Sequence, residues 1–559
     1  MHTSRSRVSA QASTTGDQGL DRLIAALRAP ERYPHAVQEV EVLQTHISCI
    51  LLAGDYAYKI KKPVNLGFLD FSTLQARKHY CEEELRLNRR TAPGLYLDVI
   101  PIGGSASAPV LAGGQPVIEY ALRMRRFEQD ALLDRMARRG ELTPQHIDAL
   151  ASGLARFHAR IERTGPDGAF GSPGRILAQA LQNFDQMLAL TSQATRPGAG
   201  RQVTRPSAGR AKAELALLAR LRDWTAGTHA SLAAVFDARK RAGWVRECHG
   251  DLHLGNIALQ DGVPTPFDCI EFSEDLRWTD VMSEVAFLMM DLFDHRLPRL
   301  ALRFLNAYLE FTGDYAGMRV LRFYLVYRAL VRAKVSCLRA HQAGMAARAK
   351  SDIEGEYRRH LYLAERLAAP GHAAMLIMHG LSGSGKTTIA QGLQEALGAV
   401  RLRSDVERKR LHGLAPLARS GSGLDEGLYA PGASERTYER LAALAREVLA
   451  ARYPVIVDAA FLKRSQRNRF AELARGAGAS FVIAACAASP ATLRVRVALR
   501  QRAASDASEA GPDVLLQQLA NQEPLAADEA AYTLAIDAER GAGAAEAAAL
   551  ALCLGLEPP

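Results

Sequence analysis

Two stretches of this 559-residue chain hold reactive side chains at spacings that chemistry uses. The first is Trp244-Val-Arg-Glu-Cys-His249-Gly250-Asp251-Leu-His253-Leu-Gly-Asn256-Ile257, followed by Asp268 within Pro266-Phe-Asp-Cys-Ile-Glu-Phe. Asp251 is spaced to accept a hydroxyl proton, the side-chain carbonyl of Asn256 suits Mg²⁺, and Asp268 adds a charged ligand for that metal. His249 reads as a hydrogen-bonding support of the loop and His253 as solvent-facing. The second stretch, Gly380-Leu-Ser382-Gly383-Ser384-Gly385-Lys386-Thr387-Thr388, fits GxxxxGK[ST] between a hydrophobic run and a helical pattern. Its glycines let backbone N–H groups turn around β- and γ-phosphates, and the helix N-terminus adds partial positive charge. Lys386 neutralises phosphate, and the Thr387 hydroxyl ligates Mg²⁺. Both stretches imply ATP with Mg²⁺.

The elements that must hold these groups follow from periodicity. Residues 37–120 are strand-rich, with short β-type runs beginning at Val40, Ile47 and Tyr56, a helix over 72–90, and strands over 96–102 and 117–124. From 130 to 367 the pattern is helical. It is broken by a Gly/Pro/Arg/Ser-rich interval at 195–210, expected to be a mobile loop, and by the first motif. Ala369-Pro-Gly-His372 forms a boundary. Beyond it strands and helices alternate, which predicts a parallel sheet covered by helices. In this last part a strand over 400–402 precedes Ser404-Asp405-Val-Glu-Arg408-Lys409, and the buried-type run Pro454-Val-Ile-Val-Asp458 ends in a carboxylate, with Arg464 and Arg467 beyond it. Arg494, Arg496, Arg500 and Arg502 cluster before Asp506-Ala-Ser-Glu-Ala. An acid after the second strand can orient or deprotonate an attacking hydroxyl, and an arginine-studded segment can close over a transferring phosphoryl group.

Composition excludes several classes. Hydrophobic residues at 48% and charged residues at 23% rule out wholesale disorder. The 70 basic against 60 acidic residues give +10, a mild bias that fits a phosphate-handling protein. Residues 372–559 are close to neutral, which speaks against polynucleotide as a partner. The seven cysteines are scattered and nowhere form CxxC, so neither a disulfide scaffold nor a zinc cage is expected, and a reducing, cytoplasmic setting fits better. No apolar run is long enough to span a bilayer. Residues 1–29 are expected to be a disordered leader, with a short helical pattern over 20–27.

The first motif resembles the HGDxHxxN loop and following metal-binding Asp of the aminoglycoside-phosphotransferase and choline-kinase-like family, which shares the two-lobed protein-kinase fold. That resemblance implies that Lys59 in Tyr56-Ala-Tyr-Lys59-Ile-Lys61 grips the α- and β-phosphates and that Glu84, with Glu83 as runner-up, is its ion-pair partner. It leaves Lys61 and Lys62 facing solvent or substrate. It puts Met124 at the inter-lobe hinge against adenine and makes Asp280 a support of the catalytic loop, or alternatively the N-cap of a helix over 281–293. One departure stands out: no GxGxxG precedes Lys59, and Gln44-Thr-His-Ile-Ser48 occupies that hairpin. The second motif resembles the small P-loop kinases, and the DxxR spacing of Asp405 and Arg408 resembles their polynucleotide-kinase and gluconate-kinase branch. By that likeness Asp405 is the base (the alternative is a helix N-cap), Arg408 a substrate-side contact, Asp458 a magnesium or base partner, and Arg500 or Arg502 the lid arginine. As a whole the sequence resembles bacterial bifunctional aminoglycoside-phosphotransferase-like/ATP-binding proteins. The implied fold is an α+β two-lobed protein-kinase-like domain, with a small lobe over 30–127 and a helical large lobe over 128–368, followed by an α/β P-loop NTPase domain with a parallel sheet over 372–559. The implied activity is ATP- and Mg²⁺-dependent phosphoryl transfer to hydroxyl groups of small acceptors at two nucleotide sites. The alternatives are a nucleotide or polynucleotide 5′-end kinase in the P-loop half, or one half acting as an ATP-hydrolysing sensor of the other. No membrane, nucleic-acid or obligate protein partner is expected.

Overall fold

The computed structural model describes residues 14–65, 69–194, 208–341, 345–416, 418, 420, 428, 432–503, 511–540 and 543–556. The chain forms two compact units. One comprises Met1–Leu142, Arg160–Thr164 and Val245–Thr279, and the other Thr143–Ala159, Gly165–Trp244 and Asp280–Pro559.

In the first unit, β1 (Val40–Gln44), β2 (Ser48–Ala53), β3 (Tyr56–Lys61), β4 (Tyr96–Ser105), β5 (Ala108–Leu111) and β6 (Val117–Arg125) form an antiparallel sheet in the order β1-β2-β3-β6-β4-β5. Gly54 makes the β2–β3 turn at φ 57°, where a Cβ would lie 2.7 Å from the Ala36 carbonyl oxygen, so only glycine fits. The helix Leu74–Asn88 starts at Thr73, whose side chain accepts the Ala76 N–H. The disordered leader expected over 1–29 is corrected for its second half, where Thr14–Leu27 is a helix, while residues 1–13 lie outside the described residues. Leu20, Leu23, Ile24 and Leu27, spaced to share one helical face, are buried with Leu51, Tyr58, Ile60 and Ile100. That apolar stripe outweighs the polar start of the segment.

The first motif runs between β7 (Val245–Glu247) and β10 (Trp278–Asp280), and its second half contains the hairpin of β8 (Ile257–Gln260) and β9 (Val263–Pro266). Its hydrogen bonds reach the helix Leu74–Asn88, Arg90 just after it, and Tyr96 at the start of β4. The Asp268 N–H donates to the Tyr96 hydroxyl at 3.0 Å and the Cys269 N–H to Asn88 Oδ1 at 2.9 Å, while Glu247 accepts from Arg86 and Arg90. Chain order alone assigns this loop to the segment after residue 128, whereas its residues belong to the same compact unit as Met1–Leu142.

The second unit joins helices, among them Ala208–Arg241, Val281–Asp294, Pro298–Thr312 and Met318–Ala340, to an all-parallel sheet. Its strands are β11 (Ala374–His379), β12 (Val400–Arg403), β13 (Val455–Asp458), β14 (Ser480–Ala487) and β15 (Thr533–Asp537), in the order β12-β13-β11-β14-β15. The inner strands β11, β13 and β14 are nearly continuous apolar runs, as expected of a sheet covered on both faces, whereas β12 carries Arg401 and Arg403. Leu376, Met378, Ile389, Leu393, Ile456 and Val482 form much of the core. The loop expected at 195–210 lies largely outside the described residues, as do Asp506 and the side chain of Arg502. Among the described residues no helix is long and apolar enough to cross a membrane.

Candidate active sites

Strand alternation explains the first site. Lys59 and Lys61, two apart on β3, share a face of the sheet, and the helix Leu74–Asn88 presents Glu84 to both. Lys59 Nζ lies 2.7 Å from Glu84 Oε1 and 2.6 Å from Asp268 Oδ1, and Lys61 Nζ lies 2.7 Å from Glu84 Oε2. Lys61 also pairs with Glu271. The expectation that Lys61 faces solvent or substrate is therefore corrected: its side chain is fully buried, because two carboxylates replace its hydration. Burial raises the Glu84 carboxyl pKa, but Lys59 and Lys61 outweigh it and hold that pKa down at about 2. Burial likewise lowers that of Lys59, and Asp268 and Glu84 more than offset it, so the ammonium stays charged. Glu83, the runner-up, instead meets Arg86 at 2.9 Å and Arg277 at 3.6 Å. Met124 is buried on β6 among Leu52, Ala57, Tyr96 and Leu122.

The loop is built to hold Asp251. Asn256 Nδ2 donates to the Asp251 backbone carbonyl at 3.0 Å and to Asp251 Oδ2 at 3.1 Å, which leaves the Asn256 carbonyl oxygen as an acceptor. His249 Nε2 bonds the Phe267 carbonyl oxygen at 2.8 Å and ties the loop to the segment carrying Asp268. His253 is not solvent-facing as expected. It is mostly buried, lies 3.5 Å from Asp251 Oδ2, and accepts the Gly255 N–H on Nδ1. Gly250 turns the chain at φ 89°, with Leu276 O, Ile270 and Arg277 within 3.4 Å of where a Cβ would sit. The Asp268 side chain keeps 41% of its surface, and its backbone adopts φ 62°, a left-handed conformation uncommon outside glycine. A half-exposed carboxylate of this kind is a ligand suited to a hard divalent cation.

In the second unit the helix Lys386–Leu397 begins directly at the glycine-rich turn. Gly380 has φ 142°, and a Cβ there would lie 2.5 Å from the Cys486 carbonyl oxygen; Gly383 has φ 86° and the same crowding from the Leu493 carbonyl oxygen at 2.8 Å. The turn faces a cavity of about 560 Å³ that also receives Asp405, Arg408, Asp458, Arg496 and Arg500. Lys386 Nζ donates to the Leu381 carbonyl oxygen at 2.7 Å. Asp458 Oδ1 is 3.4 Å from the Thr387 hydroxyl, and its Oδ2 is buried with no hydrogen-bond partner among the described residues. Burial pushes the Asp458 carboxyl up in pKa, chiefly opposed by Arg401. An orphaned buried carboxylate oxygen beside a threonine hydroxyl suits a divalent cation. Asp405 pairs with Arg408 at 2.8 Å and occupies the first turn of the helix Ser404–Leu411, whose N-cap is Arg403, so the N-cap alternative for Asp405 is set aside. Arg494 is exposed, whereas Arg496 and Arg500, four apart on the helix Pro490–Ala503, reach the cavity. Arg467 lies elsewhere, buried against Glu529 at 2.6 Å, and Arg464 pairs with Asp528.

Asp280 satisfies its N-cap reading. It accepts the Met282 N–H at 2.9 Å at the start of Val281–Asp294, and it also pairs with Arg239, which Asp314 grips as well. Sequence reasoning missed Glu271, Arg401 and Glu310. The i, i+2 spacing of Lys59 and Lys61 was a usable signal for a buried partner such as Glu271. Nothing local marked the other two.

These two sites define a kinase-type phosphotransferase that carries a second, P-loop kinase-like module. The family model for the phosphotransferase enzyme family matches residues 103–324, and that for an AAA domain matches 375–525. Uncharacterized protein Rv2004c of Mycobacterium tuberculosis (strain ATCC 25618 / H37Rv) is 30% identical over 473 residues, covering 84% of this chain and 88% of that protein, and Uncharacterized protein Mb2027c of Mycobacterium bovis gives the same figures. The chain belongs to their family. Among solved structures, Plasmodium vivax ethanolamine kinase is similar at 10% identity and a TM-score of 0.37, covering 59% of this chain and 82% of that one. A gluconokinase from Sinorhizobium meliloti gives 22% identity and a TM-score of 0.24, covering 33% and 94%. The chain is a kinase that handles a nucleoside triphosphate with a divalent metal and a small acceptor.

Proposed function

We propose that the protein is a cytoplasmic, ATP- and Mg²⁺-dependent phosphotransferase with two nucleotide sites, each passing the γ-phosphoryl group to a hydroxyl of a small acceptor. The observation that carries this reading is that each unit sets a buried lysine against a carboxylate: Lys59 with Asp268, and Lys386 with Asp458.

In the first site Asp251 takes the acceptor proton, Asn256 and Asp268 hold Mg²⁺, and Lys59, set by Glu84, aligns the α- and β-phosphates. His249 and Asp280 act as supports, and Met124 contributes to the adenine pocket. In the second site the backbone of Gly380, Ser382, Gly383, Ser384, Gly385 and Thr388 surrounds the phosphates, with Lys386 offsetting their charge. Thr387 and Asp458 hold Mg²⁺, Asp405 is the base, Arg408 touches the acceptor, and Arg500 stabilises the transferring group. Titrating ATP turnover against a library of hydroxylated small molecules tests the reading: acceptor-stimulated turnover with a phosphorylated product is expected. Slow turnover that no acceptor raises would favour a nucleotide sensor instead. Stimulation only by oligonucleotide 5′-ends would favour the end-kinase alternative for the second site.

A further inference from the structure

The P-loop sheet has an edge at β12, where a parallel strand turns alternate backbone groups away from its neighbour. The Val400 N–H bonds the Pro454 carbonyl, on the β13 side. The groups on the other side meet a side chain from the helix Pro298–Thr312: Asn306 Oδ1 accepts the Arg401 N–H at 2.7 Å, and Asn306 Nδ2 donates to the Ala399 carbonyl at 3.0 Å. A buried primary amide thus stands in for the missing strand. One turn further along the same helix, Glu310 accepts from the Arg401 guanidinium at 3.0 Å and lies 3.6 Å from Arg403. The other arm of Arg401 donates to the Thr387 backbone carbonyl at 3.2 Å. Arg403 stands opposite Asp458 in the β12–β13 register. Arg401 is therefore a buried bracket between Glu310 and the residue whose hydroxyl faces Asp458.

We infer that Glu310 is a positioning residue of the P-loop site. By holding Arg401 in its two-way bridge, it fixes the first turn of the helix Lys386–Leu397 so that Thr387 and Asp458 present their oxygens together to the metal. Asn306 sets the height of β12 for the same purpose. Glu310 lies within the segment matched by the phosphotransferase family and outside the AAA match, so the second site is completed by residues of the first module's helices. This inference rests on the proposed reading of Thr387 and Asp458 as metal holders.

The test uses the full-length chain with Lys59→Ala, so that calorimetry reads ATP binding at the P-loop site alone. Adding Lys386→Ala must abolish that binding; if binding persists, the P-loop reading itself fails. With that control met, Glu310→Ala should raise the Mg²⁺ concentration needed for half-maximal tightening of ATP binding about tenfold, the effect typical of groups that orient metal ligands. Metal-free ATP affinity should stay within about twofold of the parent. Arg401→Lys, which cannot bridge both partners, should give the same shift, and the double variant should shift little further. Glu310→Gln keeps an acceptor for the guanidinium, so it should fall between parent and Glu310→Ala, and it carries the test if Glu310→Ala does not fold. A folded Glu310 variant with a lowered melting temperature but the parent's Mg²⁺ requirement would overturn the inference, as would shifts that add independently with Arg401→Lys.

Discussion

Lys59 divides one ammonium between Glu84 at 2.7 Å and Asp268 at 2.6 Å, and nucleotide phosphates with a metal would draw both Lys59 and Asp268 toward themselves. Glu84 is the fixed member, since it is fully buried and also holds Lys61. Lys59→Ala and Glu84→Ala should each weaken first-site turnover, and the double variant should lose little more, because the two act as one unit. Independent, additive losses in steady-state kinetics would break the pairing. Asp251 and Asp268 should fail in different ways. Asp251→Asn would remove the proposed proton acceptor and should lower turnover by at least about a hundredfold while Mg·ATP still binds. Asp268→Asn keeps the shape but would remove the charge proposed to hold the metal, so Mg²⁺-dependent nucleotide binding itself should weaken, with partial rescue at high Mg²⁺. Both comparisons belong on a Lys386→Ala background, read by calorimetry and turnover side by side. Equal loss of binding in both variants would show that the base and metal roles are misassigned.

At the scale of the element, the helix Val281–Asp294 starts at a buried clamp. Arg239, almost fully buried, meets Asp280 at 2.7 Å and Asp314 at 2.7 Å, and burial pushes the Asp314 carboxyl up in pKa against the pull of Arg239. Arg239→Leu would leave two buried carboxylates without their cation, which should cost about 3–5 kcal/mol in urea unfolding at neutral pH. The sign with pH follows. Asp314, already raised by burial, rises further once Arg239 no longer opposes that burial, so the deficit is largest at neutral pH and shrinks as acid protonates Asp314. A deficit unchanged by acid would mean that the clamp does not carry this load. The same helix shows what a sequence can reveal. Its N-cap was legible because Asp280 and the apolar run after it are adjacent in the chain. The glycine-rich turn and the loop over 249–256 were legible for the same reason: each packs its chemistry into a contiguous stretch. The second role of Asp280 was not, because Arg239 and Asp314 lie 41 residues before it and 34 after it. Lys61 was misread because a lysine beside an apolar strand usually snorkels to water, and Glu271, its buried partner, comes from a segment 210 residues away. The helix Thr14–Leu27 was half legible: its apolar stripe showed over 20–27, while its polar first turns carried no signal that distinguishes a helix from a leader.

At the scale of the molecule, the order of elements along the chain differs from the grouping of contacts, and this bears on how the two proposed nucleotide sites can be taken apart. The first motif is bonded into the unit of the antiparallel sheet, so Lys59, Glu84, Asp251, Asn256 and Asp268 all belong to one compact body. The P-loop sheet shares its unit with the helices that precede it, through Asn306 on the β12 edge and the pairs Arg303–Glu395 and Arg401–Glu310. A cut near residue 370 would therefore strip the β12 edge of its amide partner and leave Arg401 without Glu310. Point substitution in the full-length chain is the sounder way to separate the sites. Lys386→Ala should remove nucleotide affinity from the P-loop site and leave the other intact, because the first site's lysine and carboxylates lie wholly in the other unit. Calorimetry with a slowly hydrolysed ATP analogue should then fall from two sites per chain to one, and Lys59→Ala should remove the complementary site. A single site in the intact protein, or loss of both sites on changing Lys386 alone, would overturn the two-site reading.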